Sequence, residues 1–429
     1  MWSRYSYFFK KNEKCYIYSS LSNGLAEVSK SVFAEIENLK NNNLPIPEGE
    51  LNEQLKKLKV WVTSDKDEYY KLKYQNLLLR NDNSRLILTI NPTLACNFAC
   101  PYCFEQSHSN IYMDESVENK IVNYIKGCQY AKAVSVTWFG GEPLLAFDRI
   151  VSLTRKIQQL GLAYKAGMIT NGYLLTDRVV SLLPSLGIAS LQITIDGLAP
   201  LHDSRRCLKT GNPTFSKILH NIKVLQDKCP EIAIRVRVNV DKTNHGDFIK
   251  LYRFLQGKHF PNLSVNLAFV KDMSGCNGCP SFYDAEEQAA LAKEYLKEYG
   301  LDFSMVYPMT NRNECAIRNR NALVIGPRGE LYKCWNDVGD EKRVVGNIDG
   351  QITNESLLLR YLVAADPFED PKCQTCFLIP VCGGGCPYSR IKNEYEGTNI
   401  NTCLFMKEHI DEFLKAHIEY KSKIKSENE

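Results

Sequence analysis

Thr93-Leu94-Ala95-Cys96-Asn97-Phe98-Ala99-Cys100-Pro101-Tyr102-Cys103-Phe104-Glu105 places three cysteines in one short loop, directly after the apolar run Leu86-Ile-Leu-Thr-Ile90. Three thiolates can hold three irons of a [4Fe-4S] cluster, which ordinarily takes four cysteine ligands, so one iron stays open for another molecule. The same residues admit a structural zinc knot or a disulfide pair. Zinc sites usually come as two Cys-x2-Cys pairs supplying four donors, whereas this loop holds three thiols with no histidine closer than His108. An oxidised pair would leave one thiol over. Ligand count therefore favours a cluster with one vacant iron.

Outward from the loop the chain alternates between two periodicities. Apolar, β-rich runs recur at Leu86 to Ile90, Val134 to Phe139, Tyr164 to Thr170, Leu191 to Ile195, Ile232 to Val240 and Leu263 to Phe269. Amphipathic helical patterns lie between most of them, among them Glu118 to Ile125, Ile150 to Leu160 and Phe215 to Leu225. Such alternation predicts an α/β fold whose parallel sheet curls into a partial (β/α)6 barrel, similar to a TIM barrel. Chemistry in such barrels gathers in the loops after the strands. The cysteine loop follows the first run, Gly140-Gly141-Glu142-Pro143 the second and Asn171-Gly172 the third, while Asp196-Gly197 ends the fourth. Glycines there let backbone approach a ligand, and a carboxylate can accept from an ammonium.

The Cys-x3-Cys-x2-Cys spacing, with its aromatic residue before the last cysteine, resembles the radical S-adenosylmethionine (SAM) enzymes, and so does Gly140 to Pro143. The resemblance implies that Cys96, Cys100 and Cys103 hold a cluster whose open iron chelates the amine and carboxylate of SAM. An electron from the cluster then cleaves SAM to a 5′-deoxyadenosyl radical. It further implies that Gly140, Gly141, Glu142 and Pro143 contact the methionyl amine. The run Gln192 to Gly197, with His202 to Arg206 and Gly211 to Phe215, resembles the peptide-maturing members. By that likeness Asn171 and Thr194 lie near the SAM ribose or carboxylate, and Arg206, with its planar fork, pairs with the carboxylate. Asp196 is then a candidate catalytic base against substrate. An ordinary Asp-Gly turn and a surface arginine are the alternatives.

Residues 1–84 read differently. Tyr5 to Phe9, Cys15 to Ser19 and Leu25 to Val28 suggest short antiparallel strands with turns at Lys11-Asn12 and Ser22-Asn23-Gly24. Helical patterns follow at Ser31 to Leu39 and Glu48 to Leu58, separated by Pro45 and Pro47. The order resembles a small winged-helix module, which in radical SAM peptide maturases recognises a leader peptide by adding it as a strand to a sheet edge. A packing cap on the barrel is the plainer alternative.

Towards the other end stand Cys315, Cys334, Cys373, Cys376, Cys382, Cys386 and Cys403, with Gly383-Gly384-Gly385 inside the set. The spacings resemble the SPASM domain, although thiolates alone do not separate iron-sulfur clusters from a pair of zinc sites. The likeness implies two auxiliary [4Fe-4S] clusters, one on Cys373, Cys376, Cys382 and Cys403, the other on Cys315, Cys334 and Cys386. Some relatives carry another cysteine just upstream of the position of Cys315, where this chain has Met309. Cys276 or Cys279, in a glycine-rich loop after Phe269, is the candidate for that fourth ligand; otherwise the site stays open to a substrate thiolate. The expected organisation is a peptide-recognition module at 1–84, a radical SAM barrel at 85–300, a SPASM domain at 301–410, and a C-terminal helix with a charged tail at 411–429.

Composition narrows the rest. The 429 residues carry a formal charge of +4 that is spread along the chain, so no nucleic-acid footprint stands out. No apolar run approaches a membrane span, and Lys10, Lys11 and Lys14 follow the start too closely for a secretion signal. A cytoplasmic protein is expected, and there sixteen cysteines point to ligation before disulfides. The resemblance implies an enzyme that modifies a ribosomally made precursor peptide bearing a leader, with a thioether, carbon-carbon or ether cross-link as product. Its electrons would come from a reductant such as a flavodoxin or ferredoxin. An anaerobic sulfatase-maturating enzyme is the enzymatic alternative. An iron-sulfur electron carrier or a zinc-stabilised peptide-binding scaffold is the non-enzymatic one.

Overall fold

A computed structural model describes residues 1–103, 105, 109–270, 282–299, 307–308 and 315–428. The chain divides into two compact units. One comprises Met1–Arg80, Asp284–Cys315 and Ala365–Glu429, and the other Asn81–Tyr283 and Ala316–Ala364.

The first unit opens with β1 (Ser6–Lys11), β2 (Lys14–Ser19) and β3 (Gly24–Val28), an antiparallel sheet in that order. Asn12 and Asn23 take positive φ of 53° and 52°, a conformation asparagine tolerates better than most side chains, and so form the tight connections. Three helices follow, α1 (Lys30–Asn41), α2 (Glu50–Lys57) and α3 (Asp65–Asn81). Both faces of β2 are buried. Ile17 packs with Trp2, Ile36, Ile46, Leu55 and Val60, whereas Tyr16 and Tyr18 point the other way, onto Leu378, Phe413 and Leu414. A strand with two covered faces loses the apolar-polar alternation of a half-exposed one, which is why Cys15-Tyr-Ile-Tyr-Ser alternates so weakly. Within this unit Arg80 also makes a bidentate pair with Asp366 at 2.7 and 3.0 Å.

The second unit is built on β4 (Arg85–Ile90), β5 (Ala133–Trp138), β6 (Ala163–Thr170), β7 (Ile188–Thr194), β8 (Ala233–Val240) and β9 (Leu263–Phe269), parallel and in sequential order. The apolar runs of the sequence mark all six, with the widest discrepancy at β7, which begins at Ile188 rather than Leu191. Alternate residues are buried, as in β8, where Ile234, Val236, Val238 and Val240 are covered.

Beyond the six-unit pattern, β10 (Ala322–Ile325) pairs parallel with β4, from Ala322 opposite Ile87 to Ile325 opposite Ile90. β11 (Glu330–Tyr332) and β12 (Gly346–Asn347) then extend the sheet antiparallel to nine strands. These short strands fall among the cysteine-rich residues after 300. Four apolar residues before Gly326-Pro327 carry little periodicity, and pairing with a strand more than two hundred residues away leaves no local mark. Among the described residues no helix is long and apolar enough to cross a membrane.

Candidate active site

The cysteine loop is gripped from both sides by backbone. On one side Gly141 N–H donates to Thr93 O at 3.3 Å and Glu142 N–H to Ala95 O at 2.8 Å. On the other, Ala99 N–H donates to Cys207 O at 3.0 Å and Lys209 N–H to Asn97 O at 2.9 Å. The Thr93 hydroxyl closes the loop's entry, donating to Ile111 O at 2.8 Å and accepting from Ala95 N–H at 3.0 Å. Buried Phe98 lies edge-on to Tyr173, with ring centroids 6.0 Å apart.

The two glycines after β5 are required by this contact. A Cβ on Gly140 would stand 2.3 Å from Thr93 O, and one on Gly141 would stand 2.3 Å from Ala95 O and 2.5 Å from Leu94 O. Gly140 also has φ of 120°. Their lack of side chains thus lets two stretches of backbone pack together, so that the cysteine loop itself is the partner they approach. Glu142 is fully buried. It accepts from the Thr170 hydroxyl at 2.6 Å, from Asn171 N–H at 2.7 Å and from Leu144 N–H at 3.1 Å. Burial pushes its carboxyl up and these three hydrogen bonds pull it back. The carboxylate therefore ties the loop after β5 to the loop after β6. Pro143, buried, opens the short helical turn that follows. Asn171, held by Glu142, bridges back to Asn97 Oδ1 at 2.8 Å, and Thr194 closes β7 at 9% exposure.

Asp196, fully buried, accepts from the Tyr102 hydroxyl and from Asn239 N–H at 3.1 Å, with Arg205 Nε 3.6 Å away. Tyr102 in turn accepts from Arg206 Nη1 at 2.7 Å, and the Arg206 guanidinium lies over Phe98. A chain of contacts Arg206–Tyr102–Asp196 thus pins the aromatic residue between Cys100 and Cys103. Tyr102 is a site residue that the spacing marked only as an aromatic position, because its two partners are about a hundred residues away along the chain.

His202 locks the same loop from below. Its Nδ1 accepts from Asp196 N–H at 3.3 Å, and its Nε2 lies 3.1 Å from the Thr214 hydroxyl. Since that hydroxyl donates to Arg206 O at 2.7 Å, it must accept from His202, which makes the ring neutral with its proton on Nε2. Burial first, and then Arg206, push the imidazole from 6.5 down to about 3. The unfolded chain therefore takes up this proton first. Stability is intact above pH of about 6.5 and falls as pH drops from there towards 3, by at most about 1.4 kcal/mol per unit. In denaturant titrations, the stability lost between pH 7 and pH 5 should be about 2 kcal/mol smaller for His202→Gln than for the unsubstituted chain.

Burial raises all three loop thiols, Cys96 to about 12 and Cys103 to about 11; Cys100 adds to the shift of both, and Cys207 to that of Cys100. Thiols bind iron as thiolates, and three in one loop can hold three irons of a cluster. Among the described residues no disulfide joins two cysteines, and no three His, Cys, Asp or Glu converge tightly enough to hold a single metal ion. Cys100 and Cys103 are close enough to Cys96 to raise its thiol, so the three sulfurs share one neighbourhood. The donor set fits a [4Fe-4S] group.

In the first unit, Cys382 is raised by burial and by Cys376 and Cys403, and Cys373 is raised to about 11 by burial, with Cys382 contributing. The four cysteines of one expected set therefore neighbour each other. Gly383, Gly384 and Gly385 all have positive φ, at 61°, 87° and 74°, and a Cβ on Gly385 would stand 1.8 Å from Thr402 O, beside Cys403. Of the other set, Cys315 and Cys386 belong to this unit and Cys334, buried just after β11, to the other. Cys276, Cys279 and Met309 lie outside the described residues.

A parallel sheet with a three-thiol loop at the C-terminal end of β4 presents the donors that an iron-sulfur enzyme needs. Residues 90–255 match the Radical SAM superfamily, and the protein is an enzyme that uses a [4Fe-4S] cluster and SAM. It is 25% identical over 357 residues to a serine-type anaerobic sulfatase-maturating enzyme of Bacteroides thetaiotaomicron, covering 73% of this chain and 85% of that one. Its fold is similar to anSMEcpe with bound AdoMet and peptide, with TM-score 0.61 and 19% identity over 80% of this chain and 99% of that one. It is also similar to Streptococcus suis SuiB bound to the precursor peptide SuiA, with TM-score 0.53 and 16% identity over 94% of this chain and 99% of that one.

Proposed function

We propose that the protein is a peptide maturase of the SPASM type, which takes a hydrogen atom from a residue of a ribosomally made precursor peptide and closes a cross-link in it, the second electron passing to a bound auxiliary cluster and the second proton to Asp196. When bound, the cluster on Cys96, Cys100 and Cys103 and its SAM supply a one-electron cleavage that yields a 5′-deoxyadenosyl radical. The chain's own residues seat and shield that chemistry. Gly140, Gly141 and Pro143 hold the loop after β5 against the cysteine loop, and Glu142 carries the position of Asn171 with it. Arg206 keeps its charge beside Tyr102 while its Nε has no partner among the described residues, which leaves a donor for the SAM carboxylate. Asp196 is proposed to face substrate as the base, and Thr194 to line the nucleoside side.

The observation that carries the peptide reading is the sheet β1–β2–β3 at the front of the chain, whose outer strands β1 and β3 each offer an edge for strand addition. The 94% coverage against SuiB, compared with 80% against anSMEcpe, supports a plan in which that module belongs to the working enzyme. The second reading, a sulfatase-maturating activity, is favoured by the name of the relatives that align over most of their length. We propose Cys373, Cys376, Cys382 and Cys403 as ligands of one auxiliary cluster. Cys315, Cys334 and Cys386, with Cys276 or Cys279, are proposed for another. A flavodoxin- or ferredoxin-like donor in the cytoplasm would supply the electrons.

The test is to incubate the reconstituted protein with SAM, dithionite and either the short peptide encoded next to its gene or a sulfatase-motif peptide. The maturase reading expects 5′-deoxyadenosine and loss of two hydrogens in the first peptide only, abolished when its leader is removed. Turnover of the sulfatase peptide alone would reject it.

A further inference from the structure

Arg390 makes three hydrogen bonds, one from each donor group of its fork, among the C-terminal cysteines. Nε donates to Gly384 O at 2.6 Å, Nη1 to Asp370 Oδ2 at 2.6 Å and Nη2 to Cys373 Sγ at 2.8 Å. Asp370 is also the N-cap of the short helix Pro371–Gln374 that carries Cys373, accepting from Lys372 N–H at 2.9 Å, and Gly384 lies in the loop between Cys382 and Cys386. One rigid guanidinium thus spans two of the segments that supply the cysteines. The Arg390 side chain is largely buried, at 13% exposure, so its charge is poorly screened.

We infer that Arg390 is a positioning residue that tunes the auxiliary cluster proposed on Cys373, Cys376, Cys382 and Cys403, by donating a charge-assisted hydrogen bond to the Cys373 sulfur. The inference rests on that cluster being present. Hydrogen bonds to ligand sulfurs and nearby charge are what set the reduction potential of such a centre. A cationic donor on the thiolate stabilises the more negative, reduced state. Lys407 adds a second cation near Cys403 and Cys376. Lysine could reproduce the charge at position 390 but not the planar three-way clamp.

The experiment uses the full chain with Cys96, Cys100 and Cys103 changed to Ala, reconstituted anaerobically, so that only C-terminal clusters report. The relevant paramagnetic signal is identified by its loss in Cys382→Ala. In a redox titration, Arg390→Gln should move the oxidised-to-reduced ratio at fixed potential about tenfold towards oxidised, equivalent to about 59 mV for one electron, with iron and sulfide unchanged. Arg390→Lys should recover part of that shift. An unchanged midpoint in Arg390→Gln with iron retained overturns the inference. Should Arg390→Gln lose its iron, Arg390→Lys decides: a midpoint below that of the arginine protein supports the clamp, and an identical midpoint overturns it. Zinc in place of iron and sulfide in the arginine protein would instead defeat the cluster reading itself.

Discussion

A chain carrying Cys96→Ala, Cys100→Ala and Cys103→Ala is expected to form no 5′-deoxyadenosine from SAM under dithionite, while retaining the iron held by its C-terminal cysteines. The three thiols lie in one loop of the sheet unit, and Cys373, Cys376, Cys382 and Cys403 lie in the other unit. Loss should therefore be confined to about four irons per chain, one cluster's worth. Fold should survive, because backbone contacts to Gly141, Glu142, Cys207 and Lys209 seat the loop, and the hydrogen bond from Phe98 N–H to Cys96 Sγ stays within it. Iron and sulfide analysis beside a SAM-cleavage assay checks both halves. Residual cleavage in this variant would remove the assignment of these cysteines.

Gly141→Ala should be almost as damaging, although the residue contributes no functional group. The added methyl would meet Ala95 O at 2.3 Å and Leu94 O at 2.5 Å, both backbone atoms that cannot rotate away. Relief requires the loop after β5 to part from the cysteine loop, breaking the Glu142 N–H to Ala95 O bond at 2.8 Å and displacing the carboxylate that holds Thr170 and Asn171. A local cost above about 3 kcal/mol is expected from overpacking together with the lost buried hydrogen bonds. Incorporation of the SAM-binding cluster should fall at least about tenfold, whereas the auxiliary iron should not change. Retention of full SAM cleavage would show that the two loops are less tightly coupled than their geometry implies.

Much of the site was legible because its signals are local. Cys96, Cys100 and Cys103 fall within one loop, and each strand announces itself by an apolar run of five to nine residues. The tetrapeptide Gly140 to Pro143 was readable as a motif, but its physical role was not. Contact with a ligand is what glycines in such a loop suggest, and only in the folded chain do the Thr93 and Ala95 carbonyls occupy the space a side chain would need. Asp196 was visible as an Asp-Gly turn. Its burial under Tyr102, Asn239 and Arg205 depends on residues brought in from three other stretches of chain.

Sequence alone determined the ligand count of the cysteine loop, the parallel β/α order and the crowding of thiols near the C-terminus, since each is a matter of residue type and spacing along the backbone. Tertiary structure decided the rest. It made Glu142 a tie between two loops, placed Tyr102 between Arg206 and Asp196, paired β10 with β4, and brought Arg390 to the sulfur of Cys373. Hydrogen bonds and steric exclusion act over about 3 Å, and which atoms come that close across dozens or hundreds of residues is settled only when the sheet closes and its loops converge.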